Sequence, residues 1–200
     1  MSKTEPILIT VLRHGSVAGQ AHVFRGASDE ALNTQGIAQM HCTLKRIADT
    51  PFDVIATSPL RRCHDFSAAY AAQNGISLQV LPEFRELEFG VWDGLTPDEA
   101  AMRNPVEYQA FCTSYGEHAP PDGESLIQLR ARVARGWHDW ITTECGNNRL
   151  LVTHAGVMRA LLMELFGFTS AQAFQIAIPE AASLRISHLD GQLPFLLSLN

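Results

Sequence analysis

The sequence lacks an excess of positive charge. Its 15 lysines and arginines are outnumbered by 21 aspartates and glutamates, and the formal net charge is -6. A chain with this balance has no overall field that would attract nucleic acid or an anionic membrane surface. We therefore expect neither nucleic acid nor a membrane as a partner, and any bound anion must be held by local groups.

Cysteine is scarce, and the cysteines are far apart in the sequence. No C-x-x-C pair occurs, and the histidines show no metal-ligand spacing. We therefore expect unpaired thiols in a reducing compartment, with no metal and no other cofactor. The four positions are Cys42, Cys63, Cys112 and Cys145.

A long apolar run is also absent, so no segment is predicted to span a bilayer. The run over residues 7–12 is too short for a signal peptide, and Thr10 and Arg13 interrupt it. These features predict a cytoplasmic protein. The 200 residues are 46% hydrophobic, which predicts a single domain over residues 1–200 with a sizeable core.

Apolar runs that predict strands alternate with amphipathic patterns that predict helices. The predicted strands are residues 7–12, 53–57, 78–81, 149–153, 183–187 and 194–199. The predicted helices are residues 34–48, 61–70, 124–141 and 157–166, with shorter helices over the proline-containing stretch 95–125. The alternation predicts an α/β fold, a three-layer α/β/α sandwich with a mainly parallel sheet. Pro194 places the last strand at an edge.

Basic residues and histidines follow three of these strands. The triplet Arg13-His14-Gly15 ends the first strand, Arg61-Arg62 follows the second, and His154-Ala155-Gly156 follows the strand 149–153. The carboxyl ends of parallel strands meet at one edge of the sheet, where ligands bind. An arginine neutralises phosphate charge, and imidazole is a nucleophile near neutral pH. Each triplet alone is also consistent with an ordinary turn.

Six motifs occur in a fixed order over nearly the whole chain. They are Arg13-His14-Gly15, Gly26-x-x-Asp29-x-x-Leu32-x-x-x-Gly36, Ser58-Pro59-Leu60-Arg61-Arg62, Glu86 ahead of Phe89-Gly90-x-Trp92-x-Gly94, Gly123-Glu124-Ser125, and Val152-Thr153-His154-Ala155-Gly156-Val157. Together they resemble the histidine phosphatase superfamily, also called the phosphoglycerate mutase-like family. The resemblance implies that fold, a small-molecule phosphomonoester as substrate, and metal-independent hydrolysis through a phosphohistidine.

The resemblance also implies roles for individual residues. His14 is implied as the nucleophile and Glu86 as the proton donor, while Arg13, Arg62 and His154 are implied to form the phosphate pocket. From the residues alone, Glu83 and Glu88 compete with Glu86, and only the spacing to Gly90 favours Glu86. Arg61 does not match the family position and is expected to be a solvated residue at a helix start.

The chain departs from the family pattern just after Gly15. Ser16 and Val17 stand where many relatives have Glu followed by Ser or Thr, and Gln20 stands where they have Asn. We expect Ser16, Gln20 and Ala155 to complete the contacts with phosphate and substrate, with one hydrogen bond lost at Val17. The remaining histidines are expected to be surface or structural residues, although His22 and His118 could line the substrate side. They are His22, His41, His64, His118, His138 and His188.

The stretch 95–125 resembles a lid-like insert that covers the substrate. It carries six acidic residues, Asp98, Glu99, Glu107, Glu117, Asp122 and Glu124, but only one basic residue, Arg103. A site that grips a second phosphate or a carboxylate needs more positive charge, which disfavours a phosphoglycerate mutase.

Aromatic side chains in the same insert leave two interpretations open. Tyr108, Phe111 and Tyr115 either stack on an aromatic leaving group or pack the insert onto the body. Residues 105–112 and 121–124 resemble alpha-ribazole phosphatases, so alpha-ribazole 5′-phosphate is the leading candidate substrate. A broad-specificity phosphatase, a mutase and a non-catalytic phosphate-binding module are the alternatives. Monomer and homodimer both stay open.

Overall fold

A computed structural model describes residues 5–47, 50–143 and 146–200, so Ala48 and Cys145 lie outside the described residues. The strands in these ranges are Ile7–Arg13 (β1), Val54–Thr57 (β2), Ser77–Val80 (β3), Asn148–Thr153 (β4), Ser183–His188 (β5) and Phe195–Leu199 (β6). The helices are Thr34–Ile47 (α1), Arg61–Asn74 (α2), Pro97–Arg103 (α3), Pro105–Thr113 (α4), Leu126–Thr143 (α5), Ala155–Phe166 (α6) and Ser170–Phe174 (α7). None of the helices described is long and apolar enough to cross a membrane.

One six-stranded sheet has the order β3-β2-β4-β1-β5-β6. The first four of these strands are parallel to one another, whereas β5 is antiparallel to both of its neighbours. The predicted α/β fold with a mainly parallel sheet is therefore confirmed, and β6 lies at an edge as its proline predicts. The strand β4 lies between β1 and β2, so residues distant in sequence meet at the centre of the sheet.

Helices cover both faces of the sheet, because neighbouring residues of a strand point to opposite sides. Val11 and Leu151 belong to the core cluster that includes Leu129 and Leu161, from α5 and α6. The opposite cluster joins β-strand residues to α1 and α2; it includes Leu12, Val152, Met40, Leu44 and Phe66. The strands in the middle are buried on both faces, which explains their continuous apolar runs.

The turn after β1 is fixed by the close approach of two glycines. A Cβ on Gly15 would collide with the carbonyl oxygen of Gly36, and a Cβ on Gly36 would collide with the backbone of Ser16. The backbone after β1 therefore lies directly against the first turn of α1. This packing fixes His14 at the carboxyl edge of the sheet.

The insert over residues 95–125 packs on the body through an aromatic cluster. Phe24, Trp92, Tyr108 and Phe111 lie with ring centroids 5.5 to 6.5 Å apart, and the Trp92 indole N–H donates to Asn104 at 3.0 Å. Two differences from the predicted elements occur elsewhere. Helix α6 begins two residues earlier than expected, and α7 was not predicted although Thr169 and Gln172 form a capping box at its start.

Candidate active site

A cavity of about 220 Å³ opens at the carboxyl edge of the sheet, beside the ends of β1 and the start of α6. It brings together four of the residues that the sequence singled out. Arg13 and His14 come from the end of β1, Glu86 from the loop after β3, and Ala155 from the first turn of α6. Residues from three elements thus meet at one cavity, as the strand topology predicts.

His14 is buried, with 6% of its surface exposed, and its imidazole has a defined tautomer. Its Nδ1 lies 2.8 Å from the carbonyl oxygen of Gly15, which can only accept, so Nδ1 carries the hydrogen. The pKa of His14 falls to about 3, because burial and the nearby Arg13 and Arg62 disfavour the charged imidazolium. At neutral pH His14 is therefore uncharged, and the lone pair on Nε2 is available.

His154 lies behind His14, with its ring centroid 5.3 Å from that of His14 and the two rings close to perpendicular. The Arg62 Nε–H donates to its Nδ1 at 3.3 Å, so its Nε2 carries the hydrogen and donates to the Ser58 hydroxyl at 2.7 Å. Burial and the Arg62 charge hold the pKa of His154 well below its usual range. His154 is thus a neutral, fully buried support for His14, and it does not line the cavity.

Arg62 is also fully buried, and four of its five N–H donors are already used within the protein. Besides His154, it donates to the backbone carbonyls of Ser28 at 2.5 Å, Gly26 at 2.9 Å and Arg25 at 3.3 Å. These bonds tie the loop after β1 to the first turn of α2. The sequence places Arg62 and His154 in a phosphate pocket, but the structure puts neither of them at the cavity wall, because their donors hold the protein's own loop.

Ser16 and Gln20 are likewise not brought to the cavity. The Ser16 hydroxyl accepts from Asn33 at 3.0 Å, and its backbone N–H donates to Gln39 at 2.9 Å, so this residue fastens the loop to α1. Gln20 is exposed, and only its backbone carbonyl has a described hydrogen bond, from Arg25 at 2.7 Å. The predicted contacts of Ser16 and Gln20 with substrate fail in this structure because the loop turns away after Gly15.

Of the three competing glutamates, only Glu86 lines the cavity. Its carboxylate accepts from the backbone N–H of Leu87 at 2.9 Å and from that of Gly156 at 3.1 Å. A Cβ on Gly156 would collide with this carboxylate, so the glycine at the start of α6 makes room for it. Glu88 instead pairs with Arg85 at the surface. The geometry therefore agrees with the spacing that favours Glu86.

The loop that carries Glu86 is held by Arg132 of α5, which sequence reasoning missed. Arg132 donates to the carbonyls of Glu83 at 2.7 Å, Arg85 at 2.8 Å and Glu86 at 2.8 Å. It also forms a two-pronged ion pair with Glu124, with N–O distances of 2.8 and 2.7 Å. The Gly123-Glu124-Ser125 motif thus acts through a partner eight residues along the chain. That spacing was the only signal in the sequence.

Two further arginines at the cavity were also missed. Arg25 comes from the loop after β1, where it lies 3.3 Å from the Glu30 carboxylate, and Arg159 comes from α6. Arg159 follows Gly156 by three residues, so both lie on the same face of the helix. The helical spacing from Gly156 could have indicated Arg159. The rest of the wall is largely aromatic and includes Phe24, Phe89, Phe111 and Phe174.

The insert over 95–125 contributes only Phe111 to this cavity. None of its acidic side chains lines the wall, so they do not set the charge that a substrate meets. The basic side chains of the cavity come from β1, the following loop and α6. The low positive charge of the insert therefore says little about whether a second anionic group could be bound. Tyr108 and Tyr115 do not line the cavity.

The other candidate residues lie elsewhere in the described part of the chain. None of the six remaining histidines lines this cavity, and His138 and His188 border a separate one. Arg61 is exposed and pairs with Asp65 at 3.2 Å, as expected for a solvated helix start. Cys63 is buried, and burial raises the pKa of its thiol. No group of three or more potential metal ligands occurs among the residues described.

Comparison with known proteins agrees with the motifs. Residues 9–200 match the family model described as the histidine phosphatase superfamily (branch 1). The chain is 24% identical over 182 residues to an adenosylcobalamin/alpha-ribazole phosphatase of Salmonella typhimurium, covering 90% of each protein. It is 26% identical over 196 residues to a probable phosphoglycerate mutase of Yersinia pestis, covering 95% of this chain and 88% of the relative.

A solved mycobacterial structure shares the fold. It is described as glucosyl-3-phosphoglycerate phosphatase, and it superposes with a TM-score of 0.83 at 22% identity, covering 98% of this chain and 99% of the other. At this identity the likeness concerns the fold alone. The family match spans nearly the whole sequence, and the chain belongs to the histidine phosphatase superfamily, whose members are phosphatases or mutases that act through a phosphohistidine.

Proposed function

We propose that this protein hydrolyses phosphomonoesters through a phosphohistidine on His14. The observation that carries the proposal is the buried, neutral imidazole of His14, whose Nδ1–H is held by Gly15 and whose Nε2 is free. In the first step Nε2 bonds to phosphorus, the ester P–O bond breaks, and Glu86 gives its proton to the leaving oxygen. In the second step water attacks the phosphohistidine while Glu86 takes a proton, and inorganic phosphate leaves.

Arg13 and the first turn of α6 are proposed to bind the phosphoryl group. The transferring group spreads negative charge over its equatorial oxygens, and donors aimed at those oxygens each supply about 3 kcal/mol of transition-state stabilisation. Arg13 uses one donor on the carbonyl of Ile178 at 2.6 Å and faces the cavity beside His14. Ala155 lies at the positive end of the α6 dipole. Arg62 and His154 act from behind, by fixing the loop and the His14 ring.

Alpha-ribazole 5′-phosphate is the leading candidate substrate. Phenylalanines at four points of the wall offer faces and edges on which a benzimidazole ring could stack. The Salmonella relative is named for this activity. We propose that the insert over 95–125 covers the leaving group, with Phe111 as its contact.

A phosphorylated hydroxy acid is the second candidate, and a specific observation favours it. Arg25 and Arg159 add positive charge to the cavity beyond that of Arg13. A guanidinium binds a carboxylate through two parallel hydrogen bonds. The names of the Yersinia relative and of the mycobacterial structure both refer to phosphoglycerate chemistry.

The test is release of inorganic phosphate from a panel of monoesters in the presence of a chelator, with His14→Ala as control. The panel contains phenyl phosphate, alpha-ribazole 5′-phosphate and 3-phosphoglycerate, and the last is also followed by NMR for conversion to 2-phosphoglycerate. We expect chelator-resistant hydrolysis that falls at least about 1000-fold in His14→Ala, because the nucleophile is lost. Turnover that persists in the variant, or no turnover by folded wild-type protein, contradicts the proposal and favours a binding module. Interconversion without net release indicates a mutase.

A further inference from the structure

Arg159 is a cation at the cavity wall whose charge has no carboxylate partner among the described residues. No ion pair or hydrogen bond of its guanidinium occurs in the ranges that the structure describes, and its Nε is shielded from solvent without an acceptor. Arg25 differs, because it lies beside Glu30. A partly buried guanidinium is costly unless its donors are satisfied.

The position of Arg159 directs its side chain into the cavity. Side chains on a helix lean toward the amino end, so Arg159 leans back over the first turn of α6, where Ala155 and Gly156 line the same cavity. Its guanidinium carbon lies 4.9 Å from the centroid of the Phe174 ring. A ring face contacts the guanidinium plane in such a pair, and the N–H donors at the edges remain available to a ligand.

The aromatic neighbour of Arg159 places it on the side of the cavity where a leaving group would lie. Phe174 and Phe111 approach each other around Gly116, since a Cβ on this glycine would lie 3.5 Å from each ring. The phosphoryl end of the cavity is instead formed by His14 and Arg13. Arg159 thus belongs to the part of the wall beyond the ester oxygen.

We propose that Arg159 is a specificity-determining residue that donates hydrogen bonds to oxygen atoms of the leaving group. This inference rests on the proposed phosphatase function and narrows its substrates. Esters of oxygen-rich alcohols, such as sugars or hydroxy acids, satisfy the Arg159 donors, whereas plain hydrocarbon esters leave them buried and unpaired. The penalty for the unpaired cation, more than any attraction, discriminates against hydrocarbon leaving groups.

A matched pair of substrates tests the proposal. Ribose 5-phosphate and cyclopentylmethyl phosphate share a five-membered ring and a primary phosphate, but only the first carries ring hydroxyls. We expect the wild type to prefer ribose 5-phosphate by about 10- to 100-fold in kcat/KM, the range for a hydrogen bond to a charged group. In Arg159→Gln the preference is expected to fall to within about threefold of unity, with activity on cyclopentylmethyl phosphate retained.

The control is Arg130→Gln, which removes an exposed arginine that pairs with Glu164 outside the cavity and is expected to keep the wild-type preference. Arg159→Lys preserves the charge without the planar fork, and an intermediate preference is expected even where the glutamine variant fails to fold. A preference that survives in Arg159→Lys and Arg159→Gln, or an equal loss on both substrates, overturns the proposal. Loss of His14 dependence on either ester would overturn the proposed function instead.

Discussion

His14 is kept neutral by its surroundings, with no carboxylate partner to hold its proton. Burial removes the hydration that an imidazolium needs, and the positive charges of Arg13 and Arg62 oppose a further positive charge. The same arginines favour the phosphoryl group that His14 is proposed to accept. One arrangement therefore serves both steps, because it disfavours a proton on Nε2 and favours a phosphoryl group there.

The buried neutral histidine predicts a loss of stability in acid. The pKa of His14 is about 3 in the folded protein and near 6.5 in an unfolded chain, so between these values the unfolded chain binds the extra proton. Stability is therefore complete above about pH 6.5 and falls as the pH falls. From pH 7 to pH 4.5 we expect His14 alone to remove about 3 kcal/mol, from about two pH units of differential protonation.

Urea unfolding at the two pH values, on wild type and on His14→Gln, measures this effect. His154 is also held neutral and contributes in both proteins, so the difference between them reports His14. The exposed residue His64 provides the control, and His64→Gln should lose as much stability as the wild type. An equally steep decline in His14→Gln would show that the folded protein accommodates the imidazolium.

At the scale of elements, the loop after β3 depends on α5 for its shape. One guanidinium, that of Arg132, binds three backbone carbonyls of this loop and both oxygens of Glu124. The side chains of Arg132 and Glu124 are largely buried, so water competes weakly for these bonds. The loop in turn holds the Glu86 carboxylate against the start of α6. Arg132 is therefore a positioning residue that acts through Glu86.

Arg132→Lys is expected to slow the hydrolysis of alkyl phosphates by about 10- to 100-fold in kcat, part of the usual benefit of a general acid, with KM nearly unchanged. A lysine keeps the charge but cannot span three carbonyls and a carboxylate. Hydrolysis of 4-nitrophenyl phosphate should change less than about threefold, because its leaving group departs without a proton.

Steady-state kinetics on ethyl phosphate and 4-nitrophenyl phosphate separate this role from general damage. Arg130→Lys, on the exposed face of the same helix, is the matched control and should behave as wild type on both esters. Equal losses on the two esters in Arg132→Lys would mean that the substitution disturbs the whole site and not the proton donor.

The elements themselves were predictable because each carries its own period. Continuous apolar runs mark strands buried on both faces, and amphipathic stripes mark the helices that cover them. Helix α7 was missed because five residues are too few to show a stripe, although its capping box was present in the sequence. Boundaries at α6 differed because His154, and not a later residue, occupies the N-cap position.

The candidate site was predictable only in part, because a motif identifies a residue without giving the direction of its side chain. Arg13, His14 and Glu86 reach the cavity as expected. Arg62 matches its motif equally well, yet its donors are taken by backbone carbonyls that no sequence pattern reveals. Arg159 was missed for the converse reason, since an arginine in the middle of an apolar helix carries no motif and acquires its setting only when α7 packs beside it.

For the whole molecule, the excess of acidic residues opposes the approach of an anionic substrate, whereas the arginines of the cavity act only at short range. The net charge of -6 is weakly screened at low salt, where the Debye length is about 30 Å, and strongly screened at physiological salt, where it is about 8 Å. We expect kcat/KM to rise about two- to tenfold between 10 and 150 mM salt, with kcat unchanged.

Initial rates at low substrate concentration over this range of sodium chloride give the measurement, and rates at saturation provide the internal control. Rates should be measured with a neutral osmolyte in parallel, to separate ionic strength from solute effects. A fall in kcat/KM with salt would show that the local arginines dominate the approach, as in enzymes that steer their substrates.

The strand order has a consequence for the newly made chain. His14, Arg62 and Glu86 leave the ribosome before β4, yet β1 and β2 share no edge until β4 is inserted between them. Gly156, which receives the Glu86 carboxylate, follows β4 directly. Long-range pairings of this kind form late and slowly. A nascent chain therefore carries the nucleophile for most of its synthesis in a form that can neither bind nor consume a phosphate ester, and activity begins only when the middle of the sheet closes.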